Sequence, residues 1–333
     1  MSEPAEKKQK LEGNQLEQLK KHTIVVADTG DFESIKAFKP TDATTNPSLI
    51  YAAAQMPQYK ELLTEAINYS KENKKEGDSE EDVLALIVDR LSVNFGLEIL
   101  KVVEGVVSTE VDARLSFDTE GSVFRAKRII DMYEKAGISK DRILIKLATT
   151  WEGVQAAKEL KKDGISCNMT LLFNFAQAVA SCEAGVKLIS PFVGRIRDWY
   201  QSSTGKTYEA PEDPGCISVK KIYNYYKKYG YDTVVMGASF RTKEEVLELA
   251  GCDKLTIAPK WLKAMEESTD EVPLKLSAEN AKDVDVGPKL SLDEKSFRWM
   301  LNEDAMATEK LADGIRRFSQ DLIKLEKFIK EQM

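Results

Sequence analysis

A lysine lies in the middle of the apolar stretch RILIKLATT, which covers residues 142–150. Lys146 has Ile145 before it and Leu147 after it, so a buried strand would carry its amine into apolar surroundings. Loss of hydration disfavours the ammonium and favours the neutral amine, which attacks ketones to give a carbinolamine and then a Schiff base. Buried lysines can also be purely structural, so the chemistry depends on the side chains that accompany Lys146.

Carboxylates occur in two other strand candidates. Asp28 ends the first, and Glu110 lies in the third. Schiff-base chemistry needs proton transfers to the carbinolamine oxygen and to a substrate hydroxyl, and carboxyl groups perform such transfers. Because a protonated imine is an electron sink, the set predicts that a carbon–carbon bond near the carbonyl breaks or forms. Amides and hydroxyls at strand ends complete the polar set, namely Thr44, Asn46, Asn168, Thr170, Ser190 and Ser239.

Arginines follow the sixth and seventh strand candidates. Arg195 lies in SPFVGRIRDWY and Arg241 in GASFRTKEE, and forked guanidinium donors are suited to a phosphate group. A helix that begins near Thr242 would add backbone amides to such a site. Surface ion pairs are the alternative for these arginines, and that alternative is preferred for Arg197 because Asp198 follows it directly.

The elements that must position these residues alternate between short apolar strands and amphipathic helices. Eight strand candidates cover residues 23–28, 41–46, 106–111, 143–148, 165–170, 186–190, 233–239 and 254–259. Alternation with helices implies parallel strands joined by crossovers. Eight such units predict an α/β fold, a (β/α)8 TIM barrel with extra helices at the N- and C-termini. A doubly wound open sheet is the alternative.

No linker rich in Pro, Gly or Ser divides the chain, so residues 1–333 are predicted to form a single barrel domain. Residues 1–12 are predicted to be a disordered tail. From residue 304 to residue 333 the apolar positions follow helical spacing, which predicts one long C-terminal helix packed on the barrel. Its apolar stripe consists of Met306, Leu311, Ile315, Phe318, Leu322, Leu325 and Ile329.

Composition argues against several classes of function. A net charge of −7 is unlike a nucleic-acid-binding surface, and no apolar run reaches membrane-spanning length. With His22 as the one histidine and four cysteines that form no CxxC, neither a metal site nor a disulfide framework is predicted. Reduced thiols are typical of a cytoplasmic protein. The tail lysines Lys7, Lys8 and Lys10 could form a weak nuclear-import signal, although a solvated tail is the simpler interpretation.

Several segments resemble the transaldolase family, and its eukaryotic members in particular. They include VVADTGDF (25–32), DATTNPSL (42–49), ILIKLATTWEG (143–153), CNMTLLF (167–173) and VMGASFR (235–241). The resemblance implies transfer of a dihydroxyacetone unit from sedoheptulose 7-phosphate to glyceraldehyde 3-phosphate, giving erythrose 4-phosphate and fructose 6-phosphate. It implies a (β/α)8 TIM barrel of class I aldolase type, no cofactor, sugar-phosphate substrates in the pentose phosphate pathway, and a homodimer.

The resemblance also implies a role for each site residue. Lys146 matches the Schiff-base lysine, and Asp28 matches the acid/base that acts on the sugar hydroxyl at the cleaved bond. Glu110, with a water that Thr170 also holds, matches the proton relay for imine formation. The remaining positions match substrate contacts: Thr44, Asn46, Asn168 and Ser190 for the hydroxyls and the imine, and Arg195, Ser239 and Arg241 for the phosphate.

Two alternatives stay open at this point. The family's aldolase branch cleaves fructose 6-phosphate to free products, and it tends to carry Gln in place of Glu110 and Tyr in place of Phe192. This chain has Glu110 and Phe192, as the transferases do. A transferase must hold its enamine intermediate until the acceptor aldehyde arrives, and a less polar wall at Phe192 should slow protonation of that enamine by water. The second alternative is a non-catalytic paralogue that binds sugar phosphates. The intact set of Asp28, Glu110 and Lys146 argues against it.

Overall fold

Eight parallel strands close into a barrel in the computed structural model, which describes residues 13–333. The strand order around the barrel is the chain order, and the first strand pairs with the last through Ile24 and Lys254. This closure confirms the predicted (β/α)8 barrel and excludes the open sheet. The strands are β1 Ile24–Asp28, β2 Asp42–Thr44, β3 Val107–Glu110, β4 Ile143–Ala148, β5 Cys167–Leu172, β6 Leu188–Pro191, β7 Val234–Gly237 and β8 Lys254–Ile257.

All eight predicted strands are present, with small differences at their ends. β2 ends two residues before Asn46 because the Asn46 side chain instead caps the next helix, accepting a hydrogen bond from the Leu49 amide at 3.0 Å. β7 ends before Ser239, whose backbone is left-handed with φ of 62°. The predicted tail, including its three lysines, lies outside the described residues.

Helices follow the strands and cover the outside of the barrel. Polar caps fix several of their starts; for example, Thr150 accepts a hydrogen bond from the Gly153 amide at 2.9 Å. The helices are α1 Gln15–Lys20, α2 Pro47–Ala54, α3 Lys60–Asn73, α4 Glu80–Leu100, α5 Thr119–Lys135, α6 Trp151–Lys162, α7 Phe175–Glu183, α8 Val193–Thr204, α9 Pro214–Tyr229, α10 Lys243–Glu248, α11 Pro259–Glu266, α12 Glu294–Glu303 and α13 Ala305–Lys330. In the described part of the chain, none of these helices has the length and apolar character needed to cross a membrane.

The lower half of the barrel interior is apolar and supports the polar upper half. Val26, Leu144, Leu188 and Met236 point inward from four strands and form one buried cluster. Side chains alternate along a strand, so the next inward position above Leu144 is Lys146. The apolar layer therefore forms the floor of the site, directly below Lys146.

The C-terminal helix α13 crosses the mouth of the barrel, at the carboxyl ends of the strands. Met306, Leu311 and Phe318 from this helix are buried together with Phe173 and Phe192, which follow β5 and β6. The long helix predicted from residue 304 thus runs from Ala305 to Lys330, and its apolar stripe closes one side of the mouth.

All four cysteines are free and buried. Burial raises the pKa of Cys167, Cys182 and Cys252 to about 12 in each case, and it also raises the pKa of Cys216. The structure agrees with the interpretation of the cysteines as packing residues.

Candidate active site

Strand register brings the predicted catalytic residues to one level of the barrel. Glu110 of β3 is paired with Lys146 of β4, which is paired with Asn168 of β5. Asp28 of β1 is paired with Thr44 of β2 on the other side of the barrel. Because all five positions point inward above the apolar floor, their polar groups converge on one enclosed space.

The Lys146 amine is buried, and only 3% of the residue is exposed. Its Nζ donates a hydrogen bond to the Thr45 carbonyl oxygen at 3.1 Å and lies 3.3 Å from Glu110 Oε2. The Glu110 contact is an ion pair without hydrogen-bond alignment, so the carboxylate does not fix the amine in one orientation. An amine held this loosely can turn toward a carbonyl carbon in the cavity.

Burial raises the pKa of both carboxyl groups, Asp28 and Glu110, above the ordinary values. The positive charge of Lys146 acts in the opposite direction on both and is the second largest influence. A carboxylate with a raised pKa is a stronger base than a solvated one, so each can take up a proton and later return it. The site therefore has two buried carboxyl groups near the lysine that are suited to proton transfer.

A hydrogen-bonded frame holds Asp28. Its Oδ1 accepts a hydrogen bond from Thr44 Oγ1 at 3.0 Å, and that hydroxyl lies 2.8 Å from Thr256 Oγ1 of β8. The threonine pair spans β2 and β8, the two neighbours of β1, and Thr44 is the member that contacts the carboxyl. Within residues 13–333 the other carboxyl oxygen of Asp28 accepts no hydrogen bond, so it can receive a substrate hydroxyl.

A second frame holds Asn168. Ser190 Oγ donates to Asn168 Oδ1 at 2.5 Å, and Asn168 Nδ2 donates to Ser108 Oγ at 3.0 Å. Asn168 is fully buried, and these two bonds fix which way its amide points. The Thr170 hydroxyl, one inward position further along β5, is also fully buried but has no hydrogen-bond partner among residues 13–333. Such a hydroxyl is available to a bound molecule.

The Arg195 guanidinium lies between two aromatic rings at the mouth. Its central carbon is 4.9 Å from the centre of the Phe192 ring and 5.5 Å from that of Phe318. Desolvation lowers the pKa of Arg195, and its Nη1 has no hydrogen-bond partner in the described part of the chain. A guanidinium that is held by rings and has a free donor is suited to bind an anion.

Arg241 comes close to Arg195 because the start of α8, which carries Arg195, packs tightly against the loop after β7, which carries Arg241. The Gly194 amide donates to the Ser239 carbonyl at 2.9 Å, and a Cβ at position 194 would lie 2.4 Å from that oxygen. Only glycine permits this approach. Arg241 itself forms an ion pair with Asp198 at 2.7 Å, and both side chains are 40% exposed. A phosphate would compete with this exposed carboxylate for the guanidinium.

Two predictions about this region need correction. The helix does begin at Lys243 as predicted, but the Arg241 and Thr242 amides at its start donate to the Glu245 carboxylate, so these two amides are not available to a phosphate. Arg197 was predicted to be a surface ion-pair partner rather than a phosphate ligand. It does form ion pairs, 3.1 Å from Glu245 and 3.5 Å from Asp213, but its guanidinium is largely buried because α8 turns it toward the starts of α9 and α10.

Replacing Asp213 with asparagine should stabilise the protein at alkaline pH. Burial and the nearby Glu245 carboxylate raise the pKa of Asp213 to about 6. The folded state therefore holds a proton that the unfolded state releases at lower pH, so the free energy of unfolding falls as pH rises toward 6. The substituted amide would keep an oxygen to accept from the Gly215 amide, as the carboxylate does at 2.7 Å. Urea unfolding should give a higher midpoint for Asp213→Asn than for wild type at pH 8, and a smaller difference at pH 5.

The control for this experiment is Glu209→Gln, which removes an exposed carboxylate near the same loop. It should leave the midpoint unchanged at both pH values. If Asp213→Asn were less stable than wild type at pH 8, the ion pair with Arg197 would matter more than the cost of burying the charge.

A cavity of ≈ 90 Å³ opens between these groups at the mouth. Most of the predicted site residues line it, while Glu110, Asn168, Thr170 and Arg241 stand behind or beside the lining. Thr256 and Phe318 line the cavity and were missed from the sequence. Thr256 is an inward polar residue of β8 and could have been found from strand phase, whereas Phe318 belongs to a distant helix. The lining residues are Asp28, Thr44, Asn46, Lys146, Ser190, Phe192, Arg195, Ala238, Ser239, Thr256 and Phe318.

Residues 13–333 contain no group of three or more His, Cys, Asp or Glu side chains arranged to hold a metal ion. The two active-site carboxyls, Asp28 and Glu110, both experience the charge of the Lys146 amine, and Glu110 lies 3.3 Å from it. The chemical capacity of the site is therefore that of a buried amine flanked by proton carriers and, at the mouth, an anion-binding guanidinium.

Comparison with known proteins gives consistent matches over the length of the chain. A family model described as transaldolase/fructose-6-phosphate aldolase matches residues 25–329. The chain is similar to the transaldolase of Saccharomyces cerevisiae, with 59% identity over 337 residues that cover 100% of this chain and 99% of that protein. It is 60% identical to human transaldolase over 336 residues, covering 100% and 98%. Identity to the transaldolase of Shewanella loihica is 58% over 324 residues, covering 96% and 99%.

Proposed function

The chain belongs to the transaldolase/fructose-6-phosphate aldolase family and is an enzyme of the transaldolase type, and we propose that it works through a Schiff base on Lys146. In this proposal it transfers a dihydroxyacetone unit from sedoheptulose 7-phosphate to glyceraldehyde 3-phosphate. The products are erythrose 4-phosphate and fructose 6-phosphate, so the reaction belongs to the pentose phosphate pathway. The observation that carries the mechanism is the buried Lys146 amine, 3.3 Å from Glu110 and inside a cavity that Asp28 also lines.

Imine formation is the first step. Lys146 Nζ passes a proton to the Glu110 carboxylate and then attacks the ketone carbon of the donor sugar, and the carbinolamine oxygen must gain a proton to leave as water. Glu110 is the nearer carboxyl and has a raised pKa, so it is the proton carrier for this step. A water held between Glu110 and the unpartnered Thr170 hydroxyl would complete the relay.

Bond cleavage is the second step. Asp28 takes the proton of the hydroxyl on the carbon beyond the bond, the carbon–carbon bond breaks, and its electron pair moves into the protonated imine to form an enamine. The aldose product leaves, and the enamine then attacks the acceptor aldehyde while Asp28 returns the proton. Ser190, Asn168 and Asn46 are placed to bind the hydroxyls of the dihydroxyacetone unit, since they hold fixed amide and hydroxyl groups beside Lys146.

Retention of the enamine separates a transferase from an aldolase. Phe192 is 5% exposed and packs against Phe173 with ring centres 5.8 Å apart, so it gives the cavity an apolar wall. Water that could protonate the enamine carbon is disfavoured next to such a wall. The ratio of fructose 6-phosphate formed to free dihydroxyacetone released, measured with acceptor present, distinguishes the two activities. Release that rivals transfer would favour the aldolase alternative.

The experiment that tests the mechanism is borohydride trapping with fructose 6-phosphate, followed by peptide mass spectrometry. A reduced three-carbon adduct on Lys146 would establish the nucleophile, the Schiff base and bond cleavage together. Absence of any adduct in folded protein would remove this mechanism, and a shift in melting temperature with sugar phosphate but no turnover would favour a binding paralogue.

Replacing Arg241 with alanine should mainly raise KM for phosphorylated substrates. Loss of a charge-assisted hydrogen bond to a phosphate corresponds to an increase of about 10- to 100-fold. The change in kcat should be small because Arg241 stands beside the cavity rather than at the reacting carbons. Steady-state kinetics with sedoheptulose 7-phosphate checks this, with Arg316→Ala on α13 as a control. An unchanged KM would move the phosphate site away from Arg241.

Several properties are proposed from the family alone. Residues 1–333 act as one domain, two copies associate as a homodimer, and the protein works in the cytoplasm on sugar phosphates. Entry into the nucleus through the lysines of the N-terminal tail is a further proposal. Size-exclusion chromatography with light scattering tests the dimer, and microscopy of the tagged protein with and without residues 1–12 tests the compartment.

A further inference from the structure

Strand β5 contains a bulge directly after Thr170. Asn168 and Thr170 point into the barrel, and Met169 points outward into the layer between strands and helices. Leu171 should then point outward too, but its side chain packs among the residues of the barrel mouth, and Leu172 takes the outward position. The register with β6 shifts between Met169 and Leu172 at this point. A bulge of this kind re-aims the side chains next to it.

The backbone at the bulge is strained. Leu171 has φ of 52°, a left-handed conformation that a leucine rarely adopts. Such strain persists only where the surroundings impose it, and it is concentrated at functional sites. Here it adjoins the Thr170 hydroxyl, the buried group that has no hydrogen-bond partner among the described residues.

Hydrogen bonds hold the bulge from below. Gln177 on α7 is fully buried, and its Nε2 donates to the Leu171 carbonyl at 3.1 Å and to the Thr149 carbonyl at 2.8 Å. Its Oε1 accepts from the Phe173 amide at 2.8 Å. One side chain therefore ties the residue after β4 to the Leu171 carbonyl and the Phe173 amide.

The C-terminal helix holds the bulge from above. Gly314 of α13 lies over Leu171, and a Cβ at this position would be 2.7 Å from Leu171 Cδ2 and 3.2 Å from Cδ1. Real Cβ atoms do not approach so closely, so an alanine here must displace the leucine. The leucine is fully buried among Phe173, Phe192 and the helix, which leaves it little room to move sideways.

We propose that Gly314 is a positioning residue: by admitting the Leu171 side chain under α13, it sets the bulge that aims the Thr170 hydroxyl at the Glu110 relay. The proposal rests on the proposed function, since it assigns Thr170 a part in imine formation. It gives α13, which carries no acid, base or nucleophile of the site, an influence on one chemical step. Displacing Leu171 away from α13 would rotate the Thr170 side chain and slow imine formation, while leaving the phosphate-binding end of the cavity intact.

The test measures the rate of imine formation by rapid borohydride quenching with fructose 6-phosphate. Gly314→Ala should lower this rate about 10- to 100-fold, as displacements near 1 Å do in active sites. Binding of glucitol 6-phosphate, which has no carbonyl and cannot form an imine, should change less than about twofold because it reports only the phosphate and hydroxyl contacts. Leu171→Ala in the same chain removes the atoms that collide, so the double variant should recover to within about threefold of Leu171→Ala alone.

Thr170→Val supplies the matched control, since it removes the hydroxyl and keeps the shape. Gly314→Ala should have no further effect on the rate in the Thr170→Val background. An equal slowing in that background would overturn the proposal, as would an unchanged rate in Gly314→Ala. If Gly314→Ala weakens glucitol 6-phosphate binding as much as it slows the imine, the role is merely structural and the proposal fails. Absence of an adduct in wild type would instead remove the proposed function itself.

Discussion

Replacing Lys146 with alanine is expected to abolish turnover and leave the fold intact. In the proposed mechanism the Lys146 amine forms the covalent bond, and none of the other residues that line the cavity carries a primary amine that could form an imine with a ketone. The loss should exceed about 10⁴-fold, the upper end of what a proton carrier alone contributes. Borohydride trapping should give no adduct on the variant protein, while circular dichroism matches wild type.

The matched control is Lys187→Ala, which removes an exposed lysine at the start of β6. Its activity should be that of wild type.

Stability offers a second check on the Lys146 variant. The lysine charge opposes the raised pKa of Asp28 and Glu110, so its loss raises both further. A carboxyl whose pKa is raised by folding makes the folded state less stable as pH rises from its unfolded to its folded pKa, so the variant should lose more stability than wild type as pH rises above the ordinary carboxyl range. Residual activity above about a hundredth of wild type would be too large for loss of the nucleophile.

Replacing Asp28 with asparagine is expected to stop the reaction one step later. The substituted amide can still accept the hydrogen bond from Thr44 at its oxygen, so the frame around the side chain is kept. It cannot take a proton, so kcat should fall about 10²- to 10⁴-fold. Imine formation depends on Lys146 and Glu110 and should continue. Mass spectrometry after trapping with fructose 6-phosphate should therefore find a six-carbon adduct on Lys146 where wild type gives a three-carbon one.

Asp131→Asn is the control for this experiment, because it removes an exposed carboxylate on α5 that pairs with Lys135 and contacts no residue of the site. It should form the three-carbon adduct at the wild-type rate. If the Asp28 variant also formed the three-carbon adduct at that rate, the base for cleavage would be another group, and Glu110 would be the remaining carboxyl at this level of the barrel.

The barrel could be predicted because its signals are local. Each strand is a short apolar run, each crossover helix has its own stripe, and parallel pairing leaves few arrangements for eight such units. Strand phase then placed Lys146, Glu110 and Asn168 on the inner face, and the register shows them side by side. Element ends were less predictable, since Asn46 can continue a strand or cap a helix and only the surrounding structure decides between them.

The contacts that sequence could not predict come from segments far apart in the chain. Phe318 reaches the cavity because α13 crosses the mouth, and nothing in its spacing separates a cavity residue from a packing residue. Arg197 pairs with Glu245, and its neighbour Asp198 pairs with Arg241. This happens because α8 turns Asp198 outward and Arg197 inward. The left-handed Leu171 was equally hidden, since leucine gives no sign of such a backbone.

The four buried cysteines make the folded protein a convenient background for site-specific labelling. A thiol with a pKa of about 12 has roughly one thiolate in 10⁵ molecules at neutral pH, and only the thiolate reacts with maleimides or iodoacetamide. A single cysteine introduced on the outer face of α13 could therefore carry a fluorophore without first removing the native ones. Unfolding exposes all four thiols and makes them reactive, so the extent of alkylation also measures the fraction of unfolded molecules.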